Sequence, residues 1–132
     1  MPRNKQQPKQ ANPLTPAMRQ YQHQKSLCPG AILLFRMGDF YETFFDDAVT
    51  LAHELGLSLT GRKVEDQEPI PLAGIPYHNL DAYLAKLIAK GFKVAISEAV
   101  GDPKLARGVV KREIVRIVAP GTWKDEQESA DD

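Results

Sequence analysis

Four consecutive apolar residues, Ile32 to Phe35, constrain the fold of this chain more than any other feature. A strand with one solvent-exposed face alternates apolar and polar side chains, so an unbroken apolar run predicts a strand that is covered on both faces. We place this strand at Ile32 to Met37. Covering both faces requires other elements on each side of a sheet, and the chain is therefore expected to fold as layers.

Three segments are predicted to supply the helices of those layers, at residues 15–27, 46–56 and 79–91. Each begins at residues that favour a helix N-terminus: Thr-Pro, a pair of aspartates, and Asn79. A Pro-Gly pair follows the first segment, and a glycine ends each of the others. The last two segments also carry apolar residues at helical spacing.

Further strands are predicted at residues 57–60, 70–75, 93–97 and 113–118, with a charged loop at 61–69. Strands that alternate with helices indicate an α/β architecture, and the long helix-free stretch before the last strand favours an antiparallel element. A chain of 132 residues has room for one core. The sequence therefore predicts a single α/β domain with a mixed parallel/antiparallel sheet and about three α-helices.

The two ends of the chain differ in composition from the middle. Residues 1–13 are polar and cationic and predict a flexible leader, while residues 123–132 predict a disordered acidic tail or the start of a linker. No apolar run reaches the length of about 18 residues that a membrane span needs, and no secretory signal precedes the domain, so the cytoplasm is expected. Cys28 is the single cysteine, which excludes an internal disulfide and a cysteine-based zinc site.

Charge alone leaves two interpretations open. The formal net charge is zero, which offers little attraction to phosphate, but residues 104–116 hold five cationic side chains against one acid. This bias suits contact with a polyanion, and it equally suits a solvated strand face.

Most enzyme chemistries lack support in the sequence. The glycines form neither a P-loop nor a dinucleotide-binding fingerprint, and the three histidines have no metal-binding spacing. Four carboxylates allow one alternative, a magnesium-dependent nuclease domain built on Asp39, Glu42, Asp46 and Asp47. The last two already have a structural role at a helix start, and no lysine completes the site.

The stretch RMGDFYETFFDD, residues 36–47, interleaves aromatic rings with carboxylates. In an extended segment Phe40 and Glu42 share one face and Tyr41 takes the other, where it can anchor in the core. From the pattern alone, Phe40 is either a core ring beside a surface acid or part of a ligand site behind the permissive Gly38. A protein-docking module with Phe40 as its hot spot is a further alternative.

Four stretches carry a resemblance: TPAMRQY, ILLFRMGDFYETFFDDA, EPIPLAGIPYHNLDAYLAKLIAKG, and GDP followed by KREIVRIVAPGT. Together they resemble, over residues 14–122, the N-terminal mismatch-recognition domain of the MutS family of DNA mismatch repair proteins. The resemblance implies that Phe40 wedges beside a mispaired base from the minor groove and that Glu42 hydrogen-bonds that base. It also implies DNA contacts by Met37, Arg62, Leu72 and Arg112, while the family often has a second cation where this chain has Gly61.

The same resemblance implies partners and cofactors. The expected ligand is double-stranded DNA with mismatches or small insertion/deletion loops, bound by a reading head without catalytic activity or cofactor of its own. The remaining domains would supply an ATPase with ATP and magnesium, a homodimer interface, and contacts to the mismatch repair protein MutL. No membrane partner is expected, and the location would be the bacterial cytoplasm, in association with the nucleoid.

Glu42 permits two hypotheses, because a carboxylate close to two phosphate strands is repelled. Repulsion and desolvation raise the pKa of such a group, and a protonated Glu42 would donate a hydrogen bond to an acceptor on the displaced base. Alternatively the ionised carboxylate only discourages binding to intact duplex.

Overall fold

The computed structural model describes residues 14–101 and 110–121. The described residues form three α-helices and six strands: α1 (Pro16–Leu27), β1 (Ile32–Met37), β2 (Phe40–Phe44), α2 (Phe45–Leu55), β3 (Thr60–Arg62), β4 (Ile70–Pro76), a 3-10 turn (Tyr77–Asn79), α3 (Leu80–Ala89), β5 (Val94–Ala99) and β6 (Arg112–Val118). The predicted single α/β domain is confirmed. The predicted leader and acidic tail, with the cationic residues 104 and 107, lie outside the described residues.

The six strands form one sheet in the order β3-β4-β2-β1-β5-β6. β1 and β5 run parallel, and every other neighbouring pair is antiparallel. The mixed sheet and its antiparallel final pair are therefore as predicted. Two hairpins, β1–β2 and β3–β4, make residues 32–76 the source of four adjacent strands of the sheet, β3-β4-β2-β1.

Both faces of β1 are buried, as its apolar run predicts. Leu33 and Phe35 pack in a cluster with Met18 and Tyr21 of α1, whereas Ile32 and Leu34 pack with residues of α2 and α3 on the opposite face. Burial of each such side chain stabilises the fold by about 1.5–3 kcal/mol. The sheet is thus sandwiched between α1 on one face and the other two helices on the other.

Two of the predicted helix starts are confirmed in detail. The Thr15 side chain accepts a hydrogen bond from the amide of Met18, and Pro16 occupies the first turn of α1. Asp46 and Asp47 lie in the first turn of α2, where their charge complements the free amides. Asp47 also accepts a hydrogen bond from the Leu33 amide and pairs with Lys25 at 2.9 Å.

Two local predictions differ from the structure. The strand predicted at 57–60 lies instead at Thr60–Arg62, because these residues pair with Ile70–Leu72 across a loop that is shorter than predicted. Asn79 precedes α3 as expected, but its side chain makes no capping hydrogen bond, since a 3-10 turn leads directly into the helix. Among residues 14–101 and 110–121, no helix is long and apolar enough to cross a membrane.

Candidate nucleic-acid interface

Strand register brings the six predicted site residues to one face of the sheet. Residues opposite each other in a ladder point to the same face, and faces alternate along each strand. β2 residues 40 and 42 pair with β1 residues 37 and 35, and with β4 residues 76 and 74. We use the name open face for Met37, Phe40, Glu42, Arg62, Leu72 and Arg112, together with Gly74. It adjoins the cluster that α1 covers, to which Met37 and Leu72 also belong.

Phe40 follows a tight two-residue turn between β1 and β2. Gly38 in this turn has φ +60°, a left-handed conformation that glycine adopts without strain. The Phe40 side chain is 45% exposed, whereas the next residue, Tyr41, is 3% exposed and packs in the core on the opposite face. The core interpretation of Phe40 is therefore not supported, and the predicted anchoring of Tyr41 is confirmed.

Gly74 adjoins two of the candidate site residues, and the sequence analysis did not single it out. A Cβ atom at this position would lie 3.2 Å from the Tyr41 carbonyl oxygen, 3.3 Å from Glu42 Cγ and 3.8 Å from Phe40 Cδ2. The missing side chain therefore makes room for both predicted reading residues. A glycine inside a predicted strand indicates that another group approaches the backbone closely. The segment PLAGIP, residues 71–76, contains such a glycine.

The Glu42 carboxylate is held in an unusual environment. Its Oε1 atom is buried and has no hydrogen-bond partner among the described residues. Burial raises the pKa of Glu42, and the nearby charges of Arg62 and Arg112 oppose that rise. A buried acceptor without a donor costs free energy, so the site favours a ligand or a protonation state that satisfies this oxygen.

Arg112 is fixed mainly by contacts within the protein. Its Nε donates to the Arg36 carbonyl oxygen at 2.5 Å, and its Nη1 donates to Gln20 Oε1 and to the Val110 carbonyl oxygen. Its Nη2 lies 3.3 Å from Met37 Sδ. Because a guanidinium has five N–H donors, these contacts with described residues occupy four of its hydrogens.

Arg62 contrasts with Arg112. It is half-buried on the edge strand β3, and among the described residues its side chain makes no hydrogen bond or ion pair, although its charge acts on Glu42. A Cβ atom on the neighbouring Gly61 would come within 2.8 Å of Pro69 Cβ, so a cationic side chain there would require the hairpin to shift. Arg62 is the freer of the two arginines to meet a phosphate.

The carboxylates of the nuclease alternative do not gather. Asp39 is exposed in the β1–β2 turn, while Asp47 is engaged by Lys25, Tyr21 and the Leu33 amide. Within the described ranges, no group of three His, Cys, Asp or Glu side chains is arranged to hold a metal ion. The geometry therefore gives this alternative no support.

Comparisons with known proteins agree with the predicted family. Residues 15–127 match the family model for MutS domain I. The chain is 57% identical over 113 residues to the DNA mismatch repair protein MutS of Caldicellulosiruptor saccharolyticus, with 86% of this chain and 13% of that protein covered. The same-named proteins of Methanothrix thermoacetophila and Aquifex pyrophilus are 58% and 51% identical, over 83% and 87% of this chain and 13% and 14% of their own lengths. The chain thus spans about an eighth of the length of these relatives.

Proposed function

Because the chain belongs to the MutS domain I family, we propose that its open face reads mispaired or unpaired bases in double-stranded DNA from the minor groove. Phe40 inserts beside the defective base, and Glu42 hydrogen-bonds it. The observation that carries this proposal is that a 45% exposed ring lies beside a buried carboxylate oxygen, which has no hydrogen-bond partner in the described part of the chain, and that both adjoin Gly74.

A ring is suited to the task because of what the minor groove displays. A·T and T·A pairs present nearly the same acceptors there, so base edges cannot identify every mispair. Unstacking a base step costs a few kcal/mol, and less at a defect, whereas stacking on an aromatic ring returns about 1–3 kcal/mol. Phe40 would therefore stay inserted only where unstacking is cheap.

Glu42 supplies selectivity through its charge state. The raised pKa of Glu42 in the free protein is caused by burial, and phosphates would raise it further on binding. We propose that the protonated carboxyl donates to an acceptor on the displaced base, while the ionised form repels intact duplex. Repulsion of intact duplex by the ionised form alone is the rival hypothesis. It predicts that Glu42→Gln tightens binding to the matched duplex and leaves the mismatch affinity and its pH dependence about where they were.

The two arginines have different proposed roles. Arg62 contacts phosphate, while Arg112 both contacts DNA and fixes Met37 and the Arg36 carbonyl. Met37 and Leu72 line the groove surface beside Phe40. In the full-length protein, we propose that later domains bind ATP and magnesium, form a homodimer and contact MutL. We also propose that this protein works in the bacterial cytoplasm in association with the nucleoid.

Equilibrium binding to otherwise identical matched and mismatched duplexes tests the proposal. A full-length MutS protein carrying this domain should prefer the mismatched duplex, and it should do so even when a chelator removes divalent metal ions. Phe40→Ala should abolish the preference. Equal affinity for both duplexes before any substitution would overturn the proposal. Absence of DNA binding would favour a protein-docking module, and binding that depends on magnesium would favour the nuclease alternative.

A pH series separates the two hypotheses for Glu42. If the protonated carboxyl donates, mismatch affinity of the unsubstituted protein improves as the pH falls from about 8.5 to 6, around the neutral range in which few other side chains titrate. Glu42→Gln donates at every pH and should lose this dependence. Identical pH profiles for the two proteins would leave repulsion as the explanation.

A further inference from the structure

Arg36 lies directly behind the turn that carries Phe40. It precedes Met37 on β1, so its side chain points to the face opposite the open face. Its Nε donates to the Gly38 carbonyl oxygen at 2.7 Å, and its Nη1 donates to Glu98 Oε1 at 3.0 Å. One guanidinium therefore connects the turn to strand β5.

Two tyrosine rings hold this guanidinium in place. Its central carbon lies 4.4 Å from the Tyr77 ring centroid and 5.4 Å from that of Tyr41, within the range of cation–π attraction. The Tyr41 hydroxyl donates to Glu98, the same carboxylate that pairs with Arg36. The Arg36 guanidinium thus has hydrogen-bond acceptors for its N–H groups and aromatic rings beside it, and these contacts restrict its movement.

The second residue of the turn is held from the same side. The amide of Tyr77 donates to the Asp39 carbonyl oxygen at 2.8 Å. Both carbonyl oxygens of the turn therefore accept hydrogen bonds, that of Gly38 from Arg36 and that of Asp39 from Tyr77. From the other face, Arg112 Nε donates to the carbonyl of Arg36 itself. The backbone on which Phe40 is mounted is consequently fixed from both sides of the sheet.

We infer that Arg36 is a positioning residue for base reading: it fixes the Gly38–Asp39 turn so that Phe40 is presented in one orientation before DNA arrives. This inference rests on the proposed function. A ring that must enter a base step gains affinity when its backbone is already ordered, because less conformational freedom is lost on binding. Since Arg36 points away from the open face and is paired with Glu98, it is not a phosphate contact.

The test compares mismatched with matched duplex affinity in a full-length MutS protein carrying this domain. Arg36→Ala should lower the ratio of the two affinities about three- to tenfold, in the range of coupling between contacting residues. The slope of affinity against salt concentration should stay unchanged, because no phosphate contact is lost. Arg19→Ala, an exposed arginine on α1, is the matched control and should leave the ratio unchanged.

A double substitution distinguishes positioning from a general loss of structure. If Arg36 acts through the Phe40 ring, Arg36→Ala leaves the affinity for each duplex unchanged in a protein that already carries Phe40→Ala. A fall in either affinity in that background, or a lower salt slope, would overturn the inference. Should Arg36→Ala fail to fold, Arg36→Lys retains the charge facing Glu98 but cannot bond Gly38 and stack at once, and it should lower the ratio by a smaller factor.

The same experiment separates the inference from the function on which it rests. If Phe40→Ala abolishes the mismatch preference while both Arg36 variants retain it, only the positioning role is overturned. If Phe40→Ala leaves the preference intact, base reading by Phe40 is overturned and the role of Arg36 with it.

Discussion

Glu42 Cγ lies against the position that a side chain on Gly74 would occupy, 3.3 Å from where its Cβ atom would be. The two residues are directly paired across β2 and β4. The glycine lets the carboxylate lie close to the neighbouring backbone, where one of its oxygens is buried without a hydrogen-bond partner among the described residues. A small residue on one strand thus allows the burial of a polar group on the next.

Gly74→Ala should therefore weaken mismatch preference more than it weakens the fold. The added methyl group would contact the Tyr41 carbonyl at 3.2 Å and displace the Glu42 side chain, with the Phe40 ring next at 3.8 Å. We expect a stability loss of about 1 kcal/mol and a several-fold lower preference. Gly30→Ala, where a Cβ atom meets nothing within 4 Å, is the control for both binding and unfolding measurements.

Phe40 and Phe44 should respond differently to truncation, although both lie on β2. Phe40→Ala removes a half-exposed ring and should lower the free energy of unfolding by less than about 1 kcal/mol. Phe44 is 1% exposed and contacts the Tyr21 ring edge-on, so Phe44→Ala should cost about 3–5 kcal/mol. Urea unfolding of the 132-residue chain measures both values. Equal losses would place Phe40 in the core.

Glu42→Gln should stabilise the fold relative to the unsubstituted chain as the pH rises. Burial raises the folded-state pKa of Glu42 above its usual value of about 4.5, so the folded state binds its proton more tightly than the unfolded state. Stability is consequently lost between those two pKa values on going to higher pH, and glutamine, which does not titrate, avoids that loss.

The check is the difference in free energy of unfolding between the two proteins from pH 4 to pH 8. It should grow in favour of Glu42→Gln toward pH 8 and shrink toward pH 4. Glu65→Gln, which removes one carboxylate from the exposed loop, controls for net charge. A constant difference across this range would contradict the perturbed pKa.

Neutralising the two arginines should separate phosphate contact from structural support. Arg62→Gln should weaken binding to matched and mismatched duplexes alike and lower the salt slope by about one, with little change in stability. Arg112→Gln should also destabilise the chain by about 1–3 kcal/mol, because it leaves the Arg36 carbonyl and Gln20 without their donor. Salt titrations paired with unfolding curves distinguish the roles of the two arginines. An unchanged salt slope for Arg62→Gln would rule out a phosphate contact by Arg62.

Much of the fold could be predicted from the spacing of apolar residues and from the residue types that begin and end helices. The apolar run at 32–35 predicted double burial, and the Thr-Pro and Asp-Asp pairs predicted helix starts, because these signals depend on local chemistry. The bounds of β3 could not be predicted, since they are set by pairing with β4 across a charged loop. The cap expected at Asn79 failed for a similar reason: the preceding 3-10 turn is a product of tertiary context.

The candidate site was predictable in part. Alternation along β2 placed Phe40 and Glu42 together, and the resemblance supplied the arginines and Met37. The role of Gly74 required the register of β4 against β2, which no local pattern contains. The contacts of Arg36 likewise depend on Glu98 and Tyr77, which are distant in sequence and meet only after the sheet has formed.

Insertion of Phe40 beside the base can be followed through the fluorescence of 2-aminopurine placed next to a mispair, because the signal of this base analogue rises when it is unstacked. Saturating amounts of the unsubstituted full-length protein should raise the fluorescence of the mismatched duplex and leave that of the matched duplex unchanged. Val49→Ala, an equally exposed apolar residue on α2, should behave like the unsubstituted protein. Phe40→Ala, at concentrations that saturate the duplex, should give no rise. An undiminished rise with Phe40→Ala would contradict insertion of the Phe40 ring.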